Sequence, residues 1–160
     1  MKIGQSTDIH RLTKDRPLIL GGVKIDHYLG LAGHSDADVL CHVVAEAIIG
    51  ALGLGDLGNH FPDNDGKYKN ISSLMLLNYV KEMMQKHNYV IGNIDALIMI
   101  EKPKLANYIK KMKENIANTL SCLASEVNIK ATTGEGIGFI GKEEGVVATA
   151  VVLLKKKDYE

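Results

Sequence analysis

From Val146 to Leu154 the chain is apolar at every position but Thr149. Successive side chains of a strand point to opposite faces, so a strand of this composition carries hydrocarbon on both sides of its sheet. A sheet left bare on one side would expose that surface to water. The sheet is therefore expected to pack against other subunits, in a homo-oligomer built around its sheets. Nine residues are too few for a membrane helix.

With 160 residues, 46% hydrophobic and 24% charged, one domain over residues 1–160 is expected, with enough apolar material for a core. Nineteen basic and nineteen acidic residues leave a formal charge of zero. No general field exists to hold nucleic acid or an anionic membrane, so anionic ligands must be bound by local groups. Cys41 and Cys122 form no CxxC pair and no disulfide framework, which fits a reducing cytosol. No signal segment stands before the first strand pattern. A soluble cytoplasmic bacterial protein is expected, or the organelle-matrix form of a processed plastid-type precursor.

Along the chain, residues 1–25 read as strand, loop and a hairpin turning at Gly21-Gly22. Ser35 or Asp36 is expected to cap a helix running to about Gly53, with Leu40, Val44, Ile48 and Leu52 buried and Asp38, His42 and Glu46 sharing another face. Residues 54–70 form a loop too long for a plain connector, and its aspartates are expected to face a ligand or act in a lid. A helix over 72–87, a strand over 90–100 interrupted at Gly92-Asn93, and a helix from Pro103 to near Cys122 follow. The chain closes with a strand at 127–131, a glycine-rich loop over 132–145 and the apolar strand. The fold class is α+β, a mixed β-sheet with helices packed on one face and a β-α-β-α-β-β core.

Asp8 and His10, two apart on an extended segment, point to one face, and His42 on a nearby helix can join them. Two nitrogens and a carboxylate oxygen suit zinc, and three protein ligands leave the fourth position open. Asp38 and Glu46 could orient His42, although for Glu46 an ordinary solvated helix face is the preferred reading, and Cys41 is expected in the core. His34 is expected just before the helix N-terminus, where it and Ser35 could hold a phosphate. The loop after Lys130, with Ala131, Thr132, Thr133, Gly134 and Glu135, offers hydroxyls, amides and one carboxylate, a set that can bind a diphosphate with a divalent cation on Glu135. His27, His60 and His87 have no partner by spacing and are expected in surface or loop positions. No Ser or Cys stands beside a base, which argues against covalent catalysis.

Taken together, Asp8-Ile9-His10, Ala32-Gly33-His34-Ser35-Asp36-Ala37-Asp38, His42, Gly55-Asp56-Leu57-Gly58, Phe61-Pro62-Asp63-Asn64-Asp65 and Lys130-Ala131-Thr132-Thr133-Gly134-Glu135 closely resemble the 2-C-methyl-D-erythritol 2,4-cyclodiphosphate synthase family, in order and spacing, over nearly the whole chain. The resemblance implies an α+β homotrimer with its sheets facing the trimer interior and active sites between subunits. It implies Zn2+ on Asp8, His10 and His42, and Mg2+ or Mn2+ on Glu135. The methylerythritol phosphate end of the substrate would meet His34, Ser35, Asp56, Leu57, Gly58, Phe61, Pro62, Asp63, Asn64 and Asp65, with Asp8, Ile9, His10, Phe139 and Lys142 also among the substrate contacts. Cytidine would meet Ile100, Glu101, Lys102, Pro103, Lys104, Leu105, Ala106, Ala131, Thr132 and Thr133 of the neighbouring subunit. His34 and Thr133 match the catalytic positions. The reaction implied belongs to non-mevalonate isoprenoid biosynthesis. The substrate's 2-phosphate attacks the β-phosphorus of its cytidine diphosphate arm and releases CMP.

Lys142 and Thr149 stand where many members carry arginine and glutamate at the rim of a central cavity. Lysine lacks the bidentate fork and threonine the carboxylate, which argues against isoprenoid diphosphate binding there. On residues alone two other readings stay open. One is a metal-dependent phosphohydrolase, which would yield a linear product. The other is an oligomeric binding protein with structural zinc, although structural sites usually have four ligands and are rich in cysteine.

Overall fold

The computed structural model describes residues 1–62, 66 and 70–157. A five-stranded sheet carries the molecule, in the order β4 (Gly30–Leu31), β1 (Lys2–Thr13), β7 (Gly145–Lys156), β5 (Tyr89–Met99), β6 (Val127–Thr132). All neighbours are antiparallel except β5 and β6, whose parallel pairing needs a crossover. Helix α4 (Ala106–Leu120) supplies it. The hairpin β2 (Leu18–Leu20) and β3 (Val23–Ile25) turns at Gly21 and Gly22, both at positive φ, as a two-residue hairpin turn requires. Helices α1 (Val39–Leu52) and α3 (Ser73–Lys86) complete the layer over the sheet, and one-turn helices α2 (Leu57–His60) and α5 (Gly138–Gly141) sit in the two long loops. Among the described residues, no helix is long and apolar enough to cross a membrane.

Central strand β7 has the two-faced character its sequence demands. Val146, Ala148, Ala150, Val152 and Leu154 are at most 1% exposed beneath the helices. On the opposite face Val151 is 46% exposed, and beside it on β1 Ile3 and Ile9 are 72% and 59% exposed. The mixed sheet with helices on one face is as expected.

Helix α1 is buried all round except at His42, Glu46 and Gly50, which are four residues apart and form one stripe. Its cap corrects the sequence reading. Neither Ser35 nor Asp36 starts the helix; fully buried Asp38 does, accepting Cys41 N at 3.0 Å and also Gly21 N at 2.9 Å and Gly22 N at 2.7 Å. One carboxylate thus satisfies the helix end and the hairpin turn together, and cross-chain donors decide between candidate caps. Burial pushes its carboxyl up, partly offset by the amides of Cys41 and Gly22. Helix α4 begins at Ala106, three residues beyond Pro103, and the bulge expected near Gly92 lies between Ile91 and Asn93. Buried Cys41 belongs to the core.

Candidate active site

Strand β1 turns Gly4, Ser6, Asp8 and His10 toward α1, a face too polar for an ordinary core. Gly4 lets the helix come close, because a Cβ there would stand 1.8 Å from Ala47 O. Above it Ser6 Oγ donates to Glu46 Oε2 at 2.8 Å, and one helical turn further Asp8 Oδ2 lies 3.6 Å from His42 Nδ1. His10 Nδ1 is 3.3 Å from the same oxygen. The three residues form a group whose ligand atoms all lie within 4.8 Å of one another.

This is the spacing a four-coordinate ion needs. Ligands roughly 2.0–2.1 Å from zinc at tetrahedral angles stand about 3.3 Å apart. Among the described residues, buried His10 Nδ1 has the ion-pair contact to Asp8 but no hydrogen bond of good geometry, a costly state for a polar atom unless something else binds it. Burial pushes the Asp8 carboxyl up, but the imidazoles of His10 and His42 more than offset this and hold it well below the usual carboxylate range. The donor set therefore fits a divalent metal with one position open.

The expected partners of His42 are not the observed ones. Asp38 serves the helix cap, and Glu46, one turn beyond His42 on the same stripe, takes Ser6 of strand β1. His42 Nε2 meets Ser73 Oγ at 2.9 Å and Ser35 Oγ at 3.2 Å. Residue 73 had no signal in the sequence, since it is remote from His42 along the chain.

Around this group opens a cleft of about 280 Å³, lined by Asp8, His10, Gly33, His34, Ser35, His42, Leu57, Gly58, Phe61, Ile71 and Leu76. His34 reaches it from a loop, four residues before the Asp38 cap of α1 and not from the helix end. Arg16 fixes that loop from outside, donating to Gly33 O at 2.6 Å and Ser35 O at 2.8 Å. Asp56 caps α2 through Asn59 N, and exposed Pro62 follows Phe61. Ile9 points to the open sheet face, since it alternates with Asp8 and His10. Asp63, Asn64 and Asp65 lie outside the described residues.

A second cleft of about 350 Å³ is lined by Ile100, Glu101, Pro103, Lys104, Leu105, Ala106, Ile109, Ala131, Thr132 and Thr133. Among the described residues it shares no lining residue with the first. Lys102 is absent from its wall and reaches Glu143 at 3.9 Å, while Ile109 is an addition from helix α4. The glycine-rich loop spends much of its donor set internally. Glu101 accepts Gly134 N at 2.9 Å and Gly136 N at 3.2 Å, and Thr133 Oγ1 accepts Glu135 N at 3.2 Å while donating to Glu135 Oε1 at 3.1 Å. Thr133 and Glu135 are thereby held together at the rim of the second cleft. Phe139 and Lys142 are exposed at α5. His60 and His87 accompany backbone carbonyls, and His27, in the loop after β3, has its side chain only 7% exposed, between Tyr28 and Glu143.

The mixed sheet under one helical layer is shared with known proteins. The chain belongs to the YgbB family, whose model matches residues 1–155. Its relatives named 2-C-methyl-D-erythritol 2,4-cyclodiphosphate synthase include that of Geobacillus sp. (strain WCH70), 54% identical over 98% of this chain and 99% of its own, and that of Clostridium botulinum (strain Kyoto / Type A2), 54% identical over 96% and 99%. Among solved structures, the bifunctional IspDF of Campylobacter jejuni is similar with a TM-score of 0.94 and 42% identity over 98% of this chain, which spans 42% of that longer protein. The IspF CDP complex of Plasmodium falciparum has a TM-score of 0.86 and 35% identity, over 98% of this chain and 97% of that one.

Proposed function

We propose that this chain, as one domain over residues 1–160, performs the cyclodiphosphate synthase reaction of non-mevalonate isoprenoid biosynthesis, converting 4-diphosphocytidyl-2-C-methyl-D-erythritol 2-phosphate to the 2,4-cyclodiphosphate and CMP. The observation that carries the reading is the convergence of Asp8 Oδ2, His10 Nδ1 and His42 Nδ1 at metal-ligand spacing in a cleft walled by His34 and Ser35. An oxygen of the substrate's 2-phosphate bonds to the β-phosphorus, and the bond from that phosphorus to the bridging oxygen of CMP breaks. The nucleophile is the substrate's own, so the protein needs no nucleophilic side chain.

What remains for the protein is to fold the substrate into line and offset the repulsion of its phosphates. Zn2+ on Asp8, His10 and His42, and Mg2+ or Mn2+ on Glu135, supply Lewis acidity toward phosphate oxygens when bound. His34 and Ser35 hold the methylerythritol phosphate end, with Asp8, His10, Asp56, Leu57, Gly58, Phe61 and Pro62 around it and Phe139 and Lys142 beyond. Thr133 and His34 donate to the charge that builds in the transition state. The second cleft takes the cytidine. CDP in the complex of the Plasmodium falciparum relative supports a cytidine nucleotide as the group bound.

The active protein is a homotrimer with sheets inward. The apolar open face of β1 and β7, and two clefts of one chain with no shared wall, support an active site completed by a neighbour's cytidine cleft. Phosphorus NMR of the protein with substrate and magnesium, with and without a chelator, tests the reading. Expected are a cyclic diphosphate and stoichiometric CMP, abolished by chelation. A linear diphosphate would make water the nucleophile and the protein a phosphohydrolase. Intact substrate would leave a binding role.

A further inference from the structure

His42 turns Nδ1 toward Asp8, so its use as a ligand depends on where the ring proton sits. Two hydroxyls flank the other nitrogen, and they are not equivalent. Ser73 is 1% exposed, and its Oγ donates to Asp36 Oδ1 while its backbone N–H donates to Asp36 Oδ2 at 3.0 Å. A carboxylate only accepts, so the Ser73 proton is committed, and toward His42 its oxygen acts as an acceptor. The 2.9 Å contact is then Nε2–H donating to Ser73 Oγ, which leaves Nδ1 as the nitrogen that faces Asp8 and the metal position. Ser35 Oγ, at 3.2 Å from the ring, already accepts Ala37 N and has a proton free to turn into the cleft.

We propose that Asp36 and Ser73 are a positioning pair that holds His42 in the Nε2-protonated tautomer, aims Nδ1 at the metal position, and ties that ligand to the first turn of α3. Asp36 also replaces the missing cap of this helix, because Ser72 makes no side-chain capping bond. The same junction orders the cleft wall. Asn70 N donates to His34 O at 3.0 Å and Asp36 N to Ile71 O at 3.2 Å, so the chain re-entering after the long loop is laced to the segment bearing His34 and Ser35. Partners of this kind fix ring orientation and basicity of metal-bound histidine.

The inference rests on reading Asp8, His10 and His42 as a zinc site, and two measurements separate the claims. Zinc affinity is measured by competition with a chromophoric chelator on the purified protein and on the Ser73→Ala and Asp36→Asn variants. Histidine ring nitrogen NMR on the metal-free proteins at one fixed pH reads the tautomer. Expected are zinc bound by the wild type, a proton on Nε2 of His42, and affinity lower by about 10- to 100-fold in Ser73→Ala. In Asp36→Asn the amide can donate to Ser73 Oγ and free the serine proton for Nε2, so the ring proton should move to Nδ1 and affinity should fall. Failure of the wild type to bind zinc would remove the metal reading itself. Zinc binding by the wild type with the proton on Nδ1, or wild-type affinity in the variants, would overturn the positioning pair alone. The wild-type spectrum decides even if a variant does not fold.

Discussion

Gly4→Ala tests whether the separation of β1 and α1 sets the metal site. An added Cβ would lie 1.8 Å from Ala47 O and 2.7 Å from Ala51 N, both backbone atoms that cannot rotate away. Ordinary contact begins at 3.4 Å, so strand and helix must part by about 1.6 Å locally. Overpacking of this kind costs about 3 kcal/mol, which lowers the melting temperature of a chain this long by roughly 6–12 °C. The same separation carries Asp8 and His10 on one element and His42 on the other. A metal site tolerates about 0.2 Å in its ligand distances, so even a quarter of the displacement reaching residue 8 exceeds that tolerance. Thermal unfolding at matched protein concentration and zinc titration measure the two effects. A variant melting within 2 °C of wild type with wild-type zinc affinity would refute the claim that close approach at Gly4 sets the site.

Glu101→Ala releases the amides of Gly134 and Gly136 on either side of Glu135. Turnover is expected to fall by about 10- to 100-fold and CDP binding to weaken, with unchanged melting; wild-type turnover would make the clamp irrelevant to the loop. Burial, aided by the charge of Glu126, pushes the Cys122 thiol up to about 11. Alkylation of native protein at pH 8 should then be about 100-fold slower than that of an ordinary thiol and recover on denaturation. Because the native value is raised, this thiol's contribution to stability is complete below the unfolded value of 9.0 and is lost as pH rises through 11, which pH-dependent unfolding would show.

Local periodicity made much of the site legible. Asp8 and His10 share a face because strand side chains alternate, and His42 and Glu46 share one because they are a turn apart on a helix. The apolar run of β7 announced a sheet with two greasy faces, and the resemblance carried by the motifs pointed to the family that the comparisons show. Misreadings fall where a group had more than one acceptable partner nearby. Ser35 and Asp36 are both good caps by type, yet Asp38 is used because the amides of Gly21 and Gly22 converge on it from the hairpin. His27 takes the loop position expected of it, and what no spacing showed is the approach of Glu143, far along the chain, to its side chain.

The sequence by itself determined the element types, the residues that face together and the donor chemistry, since these follow from backbone geometry over a few residues. Tertiary structure alone decided which donors meet. That Asp8 stands 3.6 Å from His42, that Ser73 Oγ stands 2.9 Å from Nε2 of that histidine, and that Glu101 occupies the amides of a loop 33 to 35 residues away all depend on how closely separate elements approach. That approach is set by small residues such as Gly4, Ala47 and Ala51 at the contact, a property of packing between faces that no local pattern encodes.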